Sequence, residues 1–301
     1  MKNPAAAAAG NGAGNEARTR YLHLGKVALY RMSYARVSGC YFTTKNSIVK
    51  CFQSSFCSGH TCADGENEVY SNYPRGRGEN MDIHEILKTC DHTLLRVDAS
   101  SAEIMQLCDQ AIQYGCASVC IPPCHVAGAK RYVGDRLKIC TVIGFPNGYC
   151  TTAVKAFETA DAIRNGADEV DMVINLSMVK DRCWDLVKAD ILAVRRASEG
   201  KILKVIIECC LLTEEEKIKL CEIVTACHAD FIKTSTGFSK GGATREDVRL
   251  MREHCPTAVK VKAAGGISSL QDAEDFLALG AERLGTSRIV KLAMELDKAS
   301  E

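Results

Sequence analysis

The strongest constraint on this chain is a rhythm that starts at Met81. Short apolar runs, rich in β-branched residues, recur eight times: HTLL (92–95), ASVCI (117–121), KICTVIGF (138–145), EVDMVIN (169–175), LKVIIEC (203–209), FIKTST (231–236), VKVKAA (259–264) and RLGTS (283–287). A helix or helical tail follows each, and MDIHEILKTC reads as a short helix ahead of the first. Ser100 and Glu103 stand at capping-box spacing, Thr213 and Glu216 repeat it, and Thr244 with Asp247 opens another helix. Helical patterns also cover TTAVKAFETADAIRNGA, about Trp184 to Ser198, and Leu270 to Leu279. Apolar strands separated by helices pair in parallel and are covered on both faces. Eight such units, spaced by about 25 to 30 residues, predict an α/β fold: a closed (β/α)8 TIM barrel with a short N-terminal helix, in preference to an open doubly wound sheet. No G-x-G-x-x-G follows the first strand, which leaves a dinucleotide-binding fold without support.

The rhythm does not extend upstream, so the expected organisation is an extension over residues 1–80 and a barrel over 81–301. AAAAAGNGAGN opens the extension and SNYPRGRGEN closes it, with no sustained period between them. Up to Ala63 it holds one acidic residue, Glu16, among eight basic ones. That bias resembles an organelle transit segment, although the amphipathic pattern is weak. A start of the protein at Met81, or a low-order tail, is the favoured reading over a folded module.

The whole chain of 301 residues is 47% hydrophobic and carries a net charge of +1, so neither nucleic acid nor an anionic membrane is an expected partner. No apolar stretch is long enough to span a bilayer. The 17 cysteines are scattered through apolar patterns and include the pair Cys209-Cys210. They read as reduced, buried small hydrophobes in a cytoplasmic compartment and not as a disulfide framework. Cys57, His60 and Cys62 have the residue types of a zinc site, but no second pair follows at finger spacing. Only His92, beside Asp91, stands near a strand end, and no metal site or cofactor is expected. A Ser–His–Asp hydrolase lacks its G-x-S-x-G elbow.

Active sites of such barrels lie at the C-terminal ends of the strands. In EVDMVIN, alternation puts Glu169, Asp171, Val173 and Asn175 on one face and the packing residues Val170, Met172 and Ile174 on the other, so Asp171 points inward. Lys233 and Lys262 lie on adjacent strands at matching heights, and both can face the barrel interior. Two ammonium groups a few ångströms apart disfavour each other's charge, and low-dielectric walls act in the same direction. The neutral amine that results could attack a carbonyl and form a Schiff base, with the second lysine and the aspartate moving protons. On spacing alone, a purely structural Lys–Asp–Lys network is an equally good account. Gly265-Gly266 and GTSR (285–288) follow the seventh and eighth strands, where barrels commonly hold a phosphate on backbone N–H groups.

Seven segments now match one family in order: DHTLL (91–95), ASVCIPP (117–123), TVIGFPNG (141–148), DEVDMVIN (168–175), LKVIIE (203–208), FIKTSTGF (231–238) and VKVKAAGGI (259–267). Over about residues 81 to 295 the chain resembles deoxyribose-phosphate aldolase. The resemblance implies a class I, cofactor-free and metal-free lyase of deoxyribose phosphate catabolism. Its substrate is a small phosphosugar, 2-deoxy-D-ribose 5-phosphate, cleaved reversibly to acetaldehyde and D-glyceraldehyde 3-phosphate, and a homodimer is an admissible assembly. It implies that Lys233 forms the Schiff base, that Lys262 tunes it and joins a proton relay, and that Asp171 assists the carbinolamine and proton steps. Asp91 is implied in the relay and in substrate hydroxyl contacts. Substrate contacts fall on Thr93, Thr236, Gly237, Gly265, Gly266, Gly285 and Ser287. Phe238 stands where some members carry a lysine, which leaves the phosphate pocket less basic, with Arg288 or Lys240 as substitutes. Another Schiff-base phosphosugar enzyme, or a barrel that only binds a sugar phosphate, are the competing readings.

Overall fold

A computed structural model describes residues 81–300 of the chain; the readings made for residues 1–80, including Cys57, His60 and Cys62, lie outside the described residues. Eight strands close in sequence order into one barrel: β1 (Cys90–Thr93), β2 (Ser118–Ile121), β3 (Ile139–Ile143), β4 (Glu169–Val173), β5 (Ile202–Ile206), β6 (Phe231–Lys233), β7 (Lys260–Ala264) and β8 (Ala281–Thr286). Every neighbouring pair is parallel, including β1 with β8. The helix Ile83–Leu87 precedes β1, as its pattern predicts.

β3, β4 and β6 are buried along their whole length, so the two faces differ in chemistry and not in exposure. The outward face is aliphatic. Val170, Met172, Leu203, Val205, Ile232, Val261 and Ala263 join one core with the inner stripes of the helices, among them Ile104, Ile191, Leu220 and Met251. Each such side chain contributes about 1.5–3 kcal/mol on burial, and this annular layer is the main source of stability. The expected capping boxes at Ser100–Glu103 and Thr213–Glu216 are both formed, and Thr244 accepts from the backbone N–H of Asp247. They set where those helices start and hence how far each loop reaches over the barrel mouth.

The strand boundaries shift from the sequence reading, and the shifts at β1, β6 and β8 bear on the site. β1 begins at Cys90 and ends at Thr93; the Leu94 N–H still bonds Cys120 O, but Leu95 then turns to pack on Cys120, Cys140 and Val142. β6 ends at Lys233, and backbone bonds persist for one more residue, Thr234 N–H to Lys262 O and Cys209 N–H to Thr234 O. The hydroxyl of Thr234 donates to Ala264 O and accepts from Ala264 N–H, so a side chain continues the tie to β7. β8 begins earlier, at Ala281, and carries an irregularity against β7: Val261 pairs with Ala281, but Lys262 pairs with Arg283. The extra residue, Glu282, is a bulge that changes which side chains of β8 enter the barrel.

Outside the barrel, Lys155 on the helix Thr152–Arg164 is wholly buried. Its ammonium donates to Asp190 Oδ2 at 2.6 Å and to Val173 O at 2.8 Å. Asp190 lies on the helix Trp184–Ala197, so one cation ties two helices to the C-terminal end of β4. Lys155→Ala is expected to cost about 3–5 kcal/mol in urea unfolding, because a buried carboxylate is left unpaired, whereas the double change Lys155→Met with Asp190→Leu costs far less. Equal losses in the two variants would contradict this account of the pair.

Candidate active site

The register brings charged residues from six strands to one level inside the barrel. Asp171 pairs across with Lys204, Lys233 with Lys262, and Lys262 with Arg283. All of them face inward and meet. Lys204 Nζ lies 2.6 Å from Glu169 Oε2, 2.8 Å from Asp171 Oδ1 and 3.5 Å from Asp91 Oδ2. Lys262 Nζ donates to Asp171 Oδ2 at 2.7 Å and also to Asp91 Oδ2. Lys233 Nζ donates to the same Asp171 Oδ2 at 2.8 Å. Arg283 Nη1 reaches Asp91 Oδ1 at 2.6 Å and Glu169 Oε2 at 3.3 Å, and Ser118 Oγ donates to Asp91 Oδ1 at 2.7 Å.

The two-lysine picture drawn from the sequence therefore needs correction. Lys262 does not simply repel Lys233. Burial opposes its charge, but Asp171 and Asp91 outweigh burial and hold the ammonium above the usual lysine range. The same balance raises Lys204, where Asp171, Asp91, Cys140 and Glu169 overcome burial. Burial would also keep Asp171 protonated, yet Lys204, Lys233 and Lys262 hold it well below the usual carboxylate range. Asp91 is held low in the same way by Lys204, Lys262 and Arg283. The cluster contains four cations and three carboxylates, so one positive charge is in excess when all are ionised.

Above this cluster the strand ends surround a cleft of about 430 Å³. Among the described residues, Lys233 is the one cluster member that lines it. Thr93, Thr236, Gly237, Gly265, Gly266, Gly285 and Ser287, all expected to contact substrate, line it too. Lys262, Asp171 and Asp91 do not: they lie beneath the floor, fully buried. This position gives Asp91 support contacts with Lys262, Arg283 and Ser118 and no face toward the cleft. Gly285 has a second consequence. A Cβ there would stand 3.2 Å from Lys262 Cε and 2.9 Å from Ala264 Cβ, so the absence of a side chain gives Lys262 its room. Gly265 and Gly242 approach backbone to backbone, closing the rim between the loops after β6 and β7. The N–H groups of Gly237, Gly265 and Gly266 have no acceptor among the described residues.

Phe238 is 52% exposed and meets Phe145 edge-on with ring centroids 5.2 Å apart at the rim. Of the two proposed substitutes for a lysine here, Arg288 lines the cleft and Lys240 does not, while Arg96 and Lys291, not singled out in the sequence, also line it. The sequence reading also missed Lys204, Arg283 and Glu208. Lys204 faces Asp171 in register and alternation would have placed it inward, but LKVIIE is apolar around it and gave no reason to look. Arg283 opens the run RLGTS, where alternation against Leu284 places it inward, but nothing in the run pointed to a carboxylate partner.

Two sets of donors lie within 4.8 Å of one another, Cys120 with Cys140 and Asp171, and Asp91 with Cys140 and Glu169. Their oxygens already accept from ammonium and guanidinium groups, an arrangement that suits cationic side chains better than a metal dication. The thirteen described cysteines are free thiols, most of them buried.

The model of the DeoC/LacD aldolase family matches residues 86–282. The deoxyribose-phosphate aldolase of Streptococcus pyogenes is 58% identical over 212 residues, covering 70% of this chain and 95% of that protein. The enzyme of the same name from Clostridioides difficile is 56% identical over 215 residues, covering 71% and 98%. Among solved structures, the tetrameric deoxyribose phosphate aldolase of Aeropyrum pernix superposes with a TM-score of 0.67 at 29% identity, over 72% of this chain and 93% of that one.

The charge cluster fixes a pH dependence. Asp91 and Asp171 ionise below their ordinary range when folded, so their contribution is complete above about pH 4 and is lost as the pH falls through the folded values. Lys204 and Lys262 ionise above theirs, so their contribution is complete below about pH 10.4 and is lost as the pH rises through the folded values. Asp91→Asn should lower stability by about 3–5 kcal/mol at pH 7, and the gap to wild type should narrow from pH 5 toward pH 2. Thermal unfolding followed by circular dichroism checks this; a gap that stays constant across that range contradicts it.

Proposed function

The chain belongs to the DeoC/LacD family of aldolases, and we propose that it cleaves 2-deoxy-D-ribose 5-phosphate reversibly to acetaldehyde and D-glyceraldehyde 3-phosphate through a Schiff base on Lys233. One observation carries the assignment of the nucleophile: Lys233 reaches the cleft floor while sharing Asp171 Oδ2 with a lysine held in its charged state.

The cluster's excess charge disappears when Lys233 gives up one proton. Lys204, Lys262 and Arg283 each contact two or more carboxylates, whereas Lys233 has a single oxygen already used by Lys262. Lys233 is therefore the cation with the fewest carboxylate contacts in the cluster. Its free amine attacks C1 of the open-chain aldehyde to give a carbinolamine, which loses water to form a protonated imine. That imine restores the positive charge beside Asp171 and draws electrons from the C2–C3 bond as the C3 hydroxyl loses its proton. Glyceraldehyde 3-phosphate leaves, the enamine is protonated at C2, and hydrolysis frees acetaldehyde and Lys233. Asp171 and Lys262 supply and take up protons from below, with Asp91 anchoring Lys262.

The phosphate is assigned to the free N–H groups of Gly237, Gly265 and Gly266, with Ser287 beside them and Arg288, Lys291 and Arg96 providing the charge that Phe238 cannot. The free buried thiols suit a reducing compartment, which favours the cytoplasm. No helix among the described residues is long and apolar enough to cross a membrane. We take a homodimer as the assembly, with the tetramer of the Aeropyrum pernix relative as the larger alternative.

Borohydride added during incubation with deoxyribose 5-phosphate should trap a covalent adduct that peptide mass spectrometry places on Lys233. Lys233→Leu should remove both adduct and turnover, by a factor of at least about a thousand, without loss of the folded state. An adduct on another lysine would refute the assignment.

A further inference from the structure

We infer that Glu208 is a positioning residue, whose buried carboxylate folds the Thr236–Phe238 loop and thereby sets recognition of the substrate's anionic end. The inference rests on the proposed phosphosugar reading.

Glu208 follows β5 with φ 56° and ψ 64°, a left-handed conformation that residues with a side chain rarely adopt. The backbone on both sides of it continues the ladder toward the chain after β6. Ile207 N–H bonds Lys233 O at 3.0 Å, and Cys209 N–H bonds Thr234 O at 2.9 Å. The next main-chain donor, Thr236 N–H, receives no carbonyl. It is taken by the Glu208 carboxylate, with both oxygens at 3.3 Å. The Thr236 hydroxyl donates to Glu208 Oε2 at 2.5 Å. A side chain therefore supplies the last rung between these two elements.

Glu208 is buried and has no cationic partner among the described residues. Apart from the Cys210 thiol, which donates to Oε1 at 3.9 Å, its acceptor capacity is directed at one threonine. The hydroxyl of Thr236 has a single proton, and that proton is committed to Glu208, so Thr236 lines the cleft without being free to donate to substrate. Its lone pair accepts Phe238 N–H at 3.0 Å, which folds the loop around the hydroxyl. Between these two anchored residues lies Gly237, at φ 82°, with an unclaimed N–H in the cleft wall. The carboxylate, the threonine and the turn together present that donor. Geometry is what this arrangement uses, and the negative charge of Glu208 is incidental to it.

Three variants separate geometry from charge. Glu208→Gln keeps the length and one acceptor oxygen, Glu208→Asp keeps the charge but withdraws it by one methylene, and Glu208→Ala removes both. Glu208→Asp should raise KM for deoxyribose 5-phosphate about tenfold or more while kcat changes by less than about threefold. With unphosphorylated 2-deoxyribose the loss in kcat/KM should be several times smaller. Glu208→Gln should stay within about threefold of wild type in each quantity. Calorimetric binding of inorganic phosphate to the full chain gives a readout free of turnover: Glu208→Asp weakens it and Glu208→Gln retains it. Equal losses on both sugars, a loss confined to kcat, or Glu208→Asp outperforming Glu208→Gln would each overturn the inference. If Glu208→Ala does not fold, the Asp and Gln variants decide the matter alone. Failure of the wild type to cleave the phosphorylated sugar, with phosphate binding still following this order, would count against the function and leave the positioning role supported.

Discussion

Asp171 is the point on which the site depends. One of its oxygens accepts from Lys233 and Lys262 together, and the other accepts from Lys204. Seven ionisable side chains beneath a protein surface would be ruinous if charged and isolated, since each charge loses its hydration. They are tolerable because every member faces at least one opposite charge, and closure of the barrel is what makes that geometry available. Strands β1, β4, β5, β6, β7 and β8 all contribute, and in an open sheet the first and last of these would be far apart. The aliphatic layer under the helices stabilises the fold, while the charged interior spends part of that stability on a reactive arrangement.

Much of this was legible in the sequence for a simple reason. A strand whose outer face must be aliphatic shows its inner residues by alternation alone, so Asp171 stood out between Val170 and Met172, and Lys262 between Val261 and Ala263. The matching heights of Lys233 and Lys262 followed from adjacent parallel strands in which each lysine stands at the same step. What could not be read was the sign of the effect at Lys262. Two lysines suggest repulsion, but the carboxylates that surround Lys262 come from β1 and β4, and their proximity follows only from closure and register. Lys204 was invisible because the residues flanking it are apolar on both faces. Glu208 was invisible because nothing in LKVIIE announces a left-handed residue.

The segment TSTG after Lys233 also gains a physical account. Thr234 ties the chain to β7 through its hydroxyl, and Thr236 ties it to the end of β5. The lysine is thus carried on a very short strand whose continuation is held on both sides by backbone bonds at Thr234 and by the hydroxyls of Thr234 and Thr236. Such an arrangement fixes the base of Lys233 while freeing the following N–H groups, which a longer strand would have consumed in pairing. The partly exposed edge contact of Phe145 with Phe238 closes the same rim with apolar surface.

The bulge at Glu282 has a consequence for how this chain tolerates change in length. Below it, β8 sends Ala281 to the outer core; above it, Arg283 and Gly285 face inward while Leu284 faces out. One residue therefore sets the phase of everything that follows. Paired without the bulge, the same residues would turn the upper half of the strand inside out, driving leucine among the carboxylates and guanidinium into the aliphatic layer, whereas deleting Glu282 would leave Ala281 and Arg283 in plain alternation and the phase unchanged. The bulge thus absorbs one residue of length, and a regular strand of the same length would disturb at once the innermost carboxylates, the lysine that Gly285 accommodates, and the rim.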